Sequence, residues 1–254
     1  MALQSPKILL WDIETSPNIL AKFDLREEYV QHTNILQERF IICAAWKLLG
    51  ESKTHTVSVL DGGGPLNDDE HVVRTLHKVL SGVDVIVAHN GDDFDTKWLN
   101  GRMLAHGLPP RPPVISIDTC KVAKKVFLLN SNRLDYIGKY LHLGGKKSTP
   151  GGLWIDVLKG SRKAVREMVA YNKRDVELLE EVFLRLRPFI PDHVNRRLYS
   201  DRSGCPRCGS THVQARGYHK SLTRVYQRLQ CQGCGGWFRN TQHEKHLTAT
   251  ARVI

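Results

Sequence analysis

The 254-residue sequence lacks both the long apolar runs of a membrane protein and the leader of a secreted one. No run approaches the roughly 18 apolar residues that span a bilayer. The N-terminus MALQSPK has none of the basic, apolar and small-residue regions of a signal peptide. We therefore expect a soluble, cytoplasmic protein with no membrane partner. The length and a hydrophobic content of 41% allow a full core and one or two domains.

Acidic residues are scarce in the last fifth of the chain. Residues 201–254 contain only Asp201 and Glu244 against nine Lys/Arg, so this segment holds +7 of the total net charge of +11. A basic module joined to a nearly balanced one indicates a polyanionic partner, because each cation that neutralises a phosphate releases a counterion. The charge pattern thus predicts a nucleic-acid partner and leaves protein partners unknown.

The sequence also lacks the arrangements that support covalent catalysis or a phosphate-binding loop. No Ser-His-Asp or Cys-His arrangement is legible. The segment GGKKS at 144–148 does not satisfy GxxxxGK[ST], and no predicted strand precedes it. We interpret residues 144–152 as a flexible basic loop, in which Lys146 and Lys147 either contact a nucleic-acid backbone or form solvated surface.

Apolar periodicity predicts an α/β domain with a mixed five-stranded sheet covered by helices. The five predicted strands are residues 7–13, 39–49, 54–60, 84–88 and 114–118. The predicted helices are residues 67–81 with Asn67 as the cap, 93–106, 134–143, and 162–186 as two helices or one bent helix. After Pro188 and Pro191 the sequence becomes polar and cysteine-paired, which places a boundary between about 190 and 204. The predicted domains are 1–195 and 200–240, with a tail at 241–254.

Three patches carry acidic residues: WDIET at 11–15, HNGDDFD at 89–95 and YNKRD at 171–175. Residues two apart in a strand project to one face, so Asp12 and Glu14 present their carboxylates together. Residues four apart in a helix also share a face, so Tyr171 and Asp175 present a phenol beside a carboxylate. The first and third patches therefore each offer polar groups that point the same way.

Asp95 belongs to the same predicted site. It lies where a strand has ended and a helix begins, with Asn90 before it, in the region where open α/β sheets place ligands. Crowded carboxylates repel one another unless cations neutralise them, and oxygen ligands select Mg²⁺ or Mn²⁺. Two such ions about 3.5–4 Å apart can hydrolyse a phosphodiester. The predicted ligands of two ions are Asp12, Glu14, Asp95 and Asp175; the alternative is that these are ordinary acidic residues at strand ends and helix faces.

Three motifs, DxE, NxxxFD and YxxxD, occur in this order at residues 12–14, 90–95 and 171–175. Over roughly residues 5–190 the chain resembles the DnaQ-like, RNase H-fold exonucleases of the DEDDy subgroup. The segments DIET, HNGDDFD and LDYIGKYLHLGGKK are most similar to those of proofreading domains of B-family DNA polymerases and of their stand-alone bacterial and phage relatives. The resemblance implies an RNase H-like sheet and a 3′–5′ exonuclease that acts on single-stranded DNA.

The resemblance also implies roles for individual residues. Asp12, Glu14 and Asp175 would bind the first metal ion, Asp12 would bridge to the second, and Asp95 would hold the second. Tyr171 would orient the attacking water; Ala170 occupies the position of the His found in the sister subgroup, which favours the Tyr-type reading. The predicted substrate contacts are Asn90, Thr15, Lys146 and Lys147.

Other functions with the same sequence features stay open. An exoribonuclease is the nearest alternative, because nothing in the sequence visibly reads a 2′-hydroxyl. A structure-selective endonuclease could use the same metal chemistry on internal phosphates. A protein of another class, a non-catalytic nucleic-acid-binding protein built on a retired nuclease scaffold, is disfavoured because the acidic set is complete.

Four of the six cysteines form two CxxC pairs, Cys205/Cys208 and Cys231/Cys234, separated by 22 residues. This spacing predicts one structural Zn²⁺ held by four thiolates, and the segment resembles a zinc ribbon with a β-hairpin over residues 213–229. Two disulfides or unmetallated thiols are the alternatives. The single cysteines, Cys43 and Cys120, are predicted to be small buried residues.

Cations and aromatic residues are interleaved in the predicted ribbon. The set is Arg207, Arg216, Lys220, Arg224, Arg228 and Arg239 with Tyr218, Tyr226, Trp237 and Phe238. Such a combination suits single-stranded nucleic acid, because cations pair with phosphates and aromatic rings stack on bases. The alternative is a solvated basic surface over a small aromatic core.

Overall fold

The computed structural model describes residues 5–22, 24, 30–144, 152–199, 203–221 and 223–242. The chain forms two compact units, one of Lys7–Val182 and one of Met1–Pro6 with Phe183–Ile254. No helix in the described residues is both long and apolar enough to cross a membrane. Lys146 and Lys147 lie outside the described residues, as does most of the predicted tail. The domain limits drawn from the sequence stay predictions.

The elements are numbered in chain order. The strands are β1 Ile8–Thr15, β2 Ile19–Leu20, β3 Ile35–Gln37, β4 Ile41–Leu48, β5 His55–Ser58, β6 Val85–Ala88, β7 Ile115–Asp118, β8 Val213–Lys220, β9 Val225–Cys231 and β10 Trp237–Arg239. The helices are α1 Glu70–Leu80, α2 Asp95–Ala105, α3 Thr119–Val126, α4 Leu134–Tyr140, α5 Leu153–Leu158 and α6 Arg162–Leu186.

The larger unit is built on a mixed five-stranded sheet in the order β5-β4-β1-β6-β7. Strand β4 runs antiparallel to β5 and β1, whereas β1, β6 and β7 are parallel. This sheet, flanked by helices, confirms the predicted RNase H-like α/β fold. Because β1, β6 and β7 are parallel, their carboxyl ends meet at one edge of the sheet, where open α/β sheets place ligands.

Helices cover the sheet through regularly spaced apolar residues. In α1 the buried side chains are Val72, Val73, Leu76 and Leu80, which repeat at helical spacing. Every residue of β6 is buried, as expected for a short apolar strand in the middle of a sheet. Cys43 and Cys120 are buried thiols, as predicted.

The structure also corrects several element predictions. Helix α1 begins at Glu70, and the residue that precedes it is Asp69 rather than the predicted cap Asn67. Of the two possibilities left open for residues 162–186, the structure has a single helix. The sequence did not predict α3, α5 or the pair of strands β2 and β3. These elements are only two to eight residues long, too short to show a period.

Asp69 is fully buried and does not cap α1 with its side chain. Its carboxylate accepts a hydrogen bond of 2.8 Å from the Ile41 amide and two from Arg102, of 2.8 Å from Nε and 2.7 Å from Nη2. The carboxylate also contacts His106 Nε2 at 2.7 Å. Burial raises the pKa of this carboxyl, but the hydrogen bonds from Arg102, Ile41 and His106 outweigh burial and hold the pKa below its usual value. The ionised carboxylate therefore ties together β4, α1 and α2.

Replacing Asp69 with alanine is expected to destabilise the larger unit by about 3–5 kcal/mol, because it leaves a largely buried guanidinium and a backbone amide without an acceptor. Urea unfolding followed by circular dichroism measures the change. Glu70→Ala is the matched control, because this variant loses an exposed ion pair with Arg74. It should lower the free energy of unfolding by at most about 1 kcal/mol. Equal losses in the two variants would show that the buried network contributes nothing.

The smaller unit contains a three-stranded antiparallel sheet in the order β10-β9-β8. Strands β8 and β9 form the hairpin predicted from the alternation of residues 213–229. The register shifts between Ala215 and Tyr218, where Gly217 has a φ of 75°. This bulge changes which side chains of β8 share a face with those of β9.

Candidate active site and thiolate centre

The carboxylates of Asp12, Glu14 and Asp175 form one cluster, in which an oxygen from each lies within 4.8 Å of the others. Asp12 and Glu14 are half-buried on one face of β1, while Ile13 between them is buried in the core. Asp175 lies on α6 and is only 4% exposed. The predicted alternation of β1 and the predicted helix therefore bring these three residues together.

The cluster has the dimensions of a site for a divalent cation. Around an octahedral Mg²⁺ with metal–oxygen distances of about 2.1 Å, ligand oxygens lie about 3.0 to 4.2 Å apart. Three carboxylate oxygens within 4.8 Å reach such positions with small side-chain shifts. Without a cation the three like charges repel one another, so the donor set suits a hard, positively charged ion.

Asp95 lies next to this cluster but is not one of its members. It is the first residue of α2, is 2% exposed, and its Oδ1 accepts a hydrogen bond of 3.0 Å from the backbone amide of Ile13. Burial raises the pKa of Asp95 to about 7, with a further contribution from the charge of Asp118, against the lowering effect of the amide hydrogen bonds. Its role as ligand of a second metal ion stays a prediction.

The turn between β6 and α2 positions Asp95. At Gly91 a Cβ would lie 2.2 Å from the Cβ of Ala88, so only glycine allows this close approach. Asn90 has a left-handed backbone with a φ of 66°. Its amide and that of Asp92 donate to the carboxylate of Asp118, at 2.9 and 3.3 Å. Asp118, whose role the sequence did not predict, is the last residue of β7 and also caps α3.

Asn172 is a second residue that the sequence analysis missed. It is fully buried on α6, and its Nδ2 donates a 2.6 Å hydrogen bond to Oδ2 of Asp12. The amide oxygen of Asn172 is buried and has no hydrogen-bond partner among the described residues. Asn172 precedes Asp175 by three residues and so lies on the same helix face, a spacing that the sequence displays. The contact holds the carboxylate of Asp12 in one orientation.

The remaining predicted residues of the larger unit are not members of the cluster. Tyr171 is half-buried on α6 and packs against the core. Thr15 ends β1, beyond a register shift after Glu14, and is 8% exposed. The roles of Tyr171 in orienting water and of Thr15 and Asn90 in binding substrate stay predictions. His89 makes two structural hydrogen bonds, to Thr119 Oγ1 at 2.9 Å and to the Asn132 carbonyl at 2.8 Å.

The second cluster joins Cys205, Cys208, Cys231 and Cys234, whose sulfur atoms all lie within 4.8 Å of one another. The Sγ atoms of Cys205 and Cys234 are 3.7 Å apart, and those of Cys208 and Cys231 are 3.6 Å apart. A tetrahedral zinc ion with Zn–S distances of about 2.3 Å requires sulfur separations of about 3.8 Å. All four cysteines are free in the structure, with no disulfide between them. The four sulfurs fit one zinc ion.

Both cysteine knuckles turn in the same way. Gly209 and Gly235, each directly after a CxxC pair, have φ angles of 81° and 77°, which favour glycine. The amide of each donates a 2.9 Å hydrogen bond to the carbonyl of the first cysteine of its pair. Burial raises the pKa of the Cys231 thiol, but hydrogen bonds from the amides of Cys234 and Gly233 and from the thiols of Cys208 and Cys234 outweigh burial and lower it to about 7. Burial raises the pKa of Cys208 to about 12 and also raises that of Cys234, so the low value belongs to Cys231 and not to the knuckle as a whole.

Comparison with known proteins assigns the larger unit to a family. The family model of the RNase H superfamily matches residues 37–187, more than half of the chain. The chain belongs to the RNase H superfamily. RNase H-like nucleases use divalent metal ions, and the cluster of Asp12, Glu14 and Asp175 is compatible with such ions. Membership therefore supports a nuclease, whose substrate is a nucleic acid.

One solved structure with the same fold is the family B DNA polymerase from the hyperthermophilic archaeon Pyrobaculum calidifontis. The two chains share 18% identity with a TM-score of 0.52, over 73% of this chain and 26% of the polymerase chain. The superfamily match and this likeness of fold agree with the resemblance to DnaQ-like, RNase H-fold exonucleases that the motifs indicate. A search of curated protein sequences finds no match.

In this RNase H superfamily member, Asn172→Ala is expected to raise the Mn²⁺ concentration for half-maximal nuclease activity about tenfold. Groups that orient metal ligands typically contribute 10- to 100-fold to metal affinity, and Asp12 loses its amide donor in this variant. Rates measured across a Mn²⁺ titration test the effect. Lys173→Ala, which removes only a weak, partly exposed contact to Glu177, is the control and should leave the titration unchanged. A lower melting temperature with an unchanged Mn²⁺ titration would assign Asn172 a purely structural role.

Proposed function

We propose that the chain is a metal-dependent 3′–5′ exonuclease that hydrolyses single-stranded DNA. The observation that carries the proposal is the convergence of Asp12, Glu14 and Asp175, drawn from a strand and a distant helix, to within 4.8 Å. Three carboxylates held this close repel one another, and a bound cation would offset that repulsion. The chain that carries them belongs to the RNase H superfamily. The motifs DxE, NxxxFD and YxxxD resemble those of DEDDy exonucleases and so support 3′–5′ exonuclease activity in particular.

The residues would divide the work of hydrolysis. Asp12, Glu14 and Asp175 would hold one divalent ion, and Asp12 with the adjacent Asp95 would hold a second. Such ions lower the pKa of a bound water and neutralise the leaving oxygen. Asn172 would keep Asp12 oriented through its 2.6 Å hydrogen bond, which makes it a positioning residue. Tyr171, four residues before Asp175, would orient the attacking water.

The polarity and the choice of DNA come from the motifs and from the likeness of fold. The preference for 3′ ends follows from the resemblance to proofreading domains, and the archaeal protein with the same fold is a family B DNA polymerase. We therefore propose DNA rather than RNA as the substrate.

Release of label from single strands tests the proposal. With Mg²⁺ or Mn²⁺, a 3′-labelled DNA strand should lose its label at once as a mononucleotide, whereas a 5′-labelled strand should shorten through a ladder of intermediates. Immediate loss of the 5′ label would contradict the polarity. Cleavage of circular single strands would identify an endonuclease, and faster hydrolysis of a matched RNA strand would identify an exoribonuclease.

A further inference from the structure

One face of the sheet in the smaller unit gathers cations and aromatic rings. Trp237 of β10 pairs with Gln230 of β9, and Arg239 pairs with Arg228. Side chains of directly paired residues lie on the same face, as do those of residues two apart in a strand. The residues of this face on β9 and β10, here named the ribbon platform, are Tyr226, Arg228, Gln230, Trp237 and Arg239.

The platform alternates guanidinium groups with flat rings. The Cζ atom of Arg239 lies 4.0 Å from the centroid of the Tyr226 ring, and that of Arg228 lies 5.2 Å from the Trp237 ring. Trp237 is 46% exposed, and both arginines are exposed. The Trp237 ring therefore offers a flat, solvent-accessible surface for stacking, on the same face as two cations.

The charge of the platform has no counterpart within its own module. Residues 203–242 include six Lys/Arg and neither Asp nor Glu. The Nε of Arg228 donates to the Arg216 carbonyl at 2.9 Å, a contact that leaves the positive charge unneutralised. Residues 203–242 supply no acidic side chain to Arg228 and Arg239, so these exposed cations are available to an anionic ligand, and a row of such cations suits a polyanion.

Other residues of the predicted basic and aromatic set do not belong to the platform. Arg207 donates to the carbonyls of Trp237 and Ile190, at 2.6 and 3.2 Å, and so holds the module together. Because of the bulge in β8, Tyr218 pairs with Gln227 and lies on the opposite face of the sheet. Tyr218 is nevertheless 48% exposed, which makes it a matched control for Trp237.

We propose that the ribbon platform binds single-stranded nucleic acid, with bases stacked on Trp237, Tyr226 and the guanidinium planes and with phosphates paired to Arg228 and Arg239. Stacking on a protein ring requires an accessible base face, which a duplex keeps inside its own stack. The proposal concerns a binding surface in the smaller unit. It goes beyond the proposed nuclease and stands whether or not the carboxylate cluster cleaves 3′ ends.

Fluorescence anisotropy of a labelled homopyrimidine DNA strand tests the platform. The full chain carries Asp12→Asn to prevent degradation, and no Mg²⁺ or Mn²⁺ is added. Trp237→Leu keeps apolar bulk but removes the ring, and is expected to weaken binding about 5- to 150-fold, the usual range for one stacked base. Tyr218→Ala should change the affinity less than about twofold. A duplex of the same sequence should bind more weakly than the single strand.

A second variant separates charge from stacking. Arg228→Gln should lower the slope of log affinity against log salt by about 0.7, the contribution of one phosphate contact on a single strand. Equal effects of Trp237→Leu and Tyr218→Ala, an unchanged salt slope in Arg228→Gln, or equal binding of duplex and single strand would each overturn the proposal. Gel electrophoresis of the strand after each titration confirms that it stayed intact.

Discussion

Replacing Asp12 with asparagine is expected to lower nuclease activity about 10³-fold, which corresponds to about 4 kcal/mol of transition-state stabilisation. Asp12 is the one carboxylate that would contact both metal ions, and its oxygen lies within 4.8 Å of those of Glu14 and Asp175. Asparagine has the same shape and retains an oxygen that can accept the hydrogen bond from Asn172. The variant should therefore fold normally while losing the charge that holds the ions.

Release of mononucleotides at saturating Mn²⁺ measures the loss. The matched control is Glu51→Gln, which neutralises an exposed acidic residue just beyond β4 and should leave activity unchanged. Circular dichroism and melting temperature establish that Asp12→Asn is folded. Activity within about tenfold of the parent protein would show that Asp12 does not hold a catalytic ion.

Removal of zinc is expected to unfold the cysteine-containing module and to leave the larger unit folded. Among the described residues 203–242, the buried apolar side chains are Cys205, Leu229 and Cys231. So small a core cannot offset the loss of chain entropy. Structural zinc sites contribute about 10–16 kcal/mol at neutral pH, so here metal binding should supply most of the folding free energy.

Hydrogen exchange read by mass spectrometry separates the two units. A zinc chelator, or the variant Cys208→Ser, should make the amides of β8 and β9 exchange as fast as those of an unfolded chain, while β1 and β6 keep their protection. Cys120→Ser alters a cysteine outside the cluster and should leave β8 and β9 protected. Continued protection of β8 and β9 after chelation would contradict a structural zinc ion.

The sequence predicted the parts of the site that depend on local period. The two-residue spacing of Asp12 and Glu14 in β1 places both carboxylates on one face, and the helical pattern around Asp175 places it in α6. Motif order indicated that these elements meet. A local sequence pattern does not show, however, how deeply a residue is buried. Asp95 is buried, accepts a hydrogen bond from the Ile13 amide, and is not grouped with the other three carboxylates.

Residues that act through long-range contacts could not be predicted in this way. Asn172 contacts Asp12 across 160 positions of the chain, and Asp69 joins groups up to 37 positions away. Both are polar residues inside otherwise regular patterns, so only tertiary structure reveals their partners. In the ribbon, the strand alternation was correctly predicted, but the bulge at Gly217 decides that Tyr218 and Tyr226 lie on opposite faces.

We propose above that Asp12, Glu14 and Asp175 hold a divalent metal ion at a site that hydrolyses nucleic acid. The most direct measurement is an anomalous difference map from crystals soaked with Mn²⁺ and a short single strand. We expect one strong peak within about 2.2 Å of oxygens from all three carboxylates, a second beside Asp12 and Asp95, and the 3′ end of the strand against both. A map with no peak among these carboxylates, or with Mn²⁺ only elsewhere on the chain, would contradict the account.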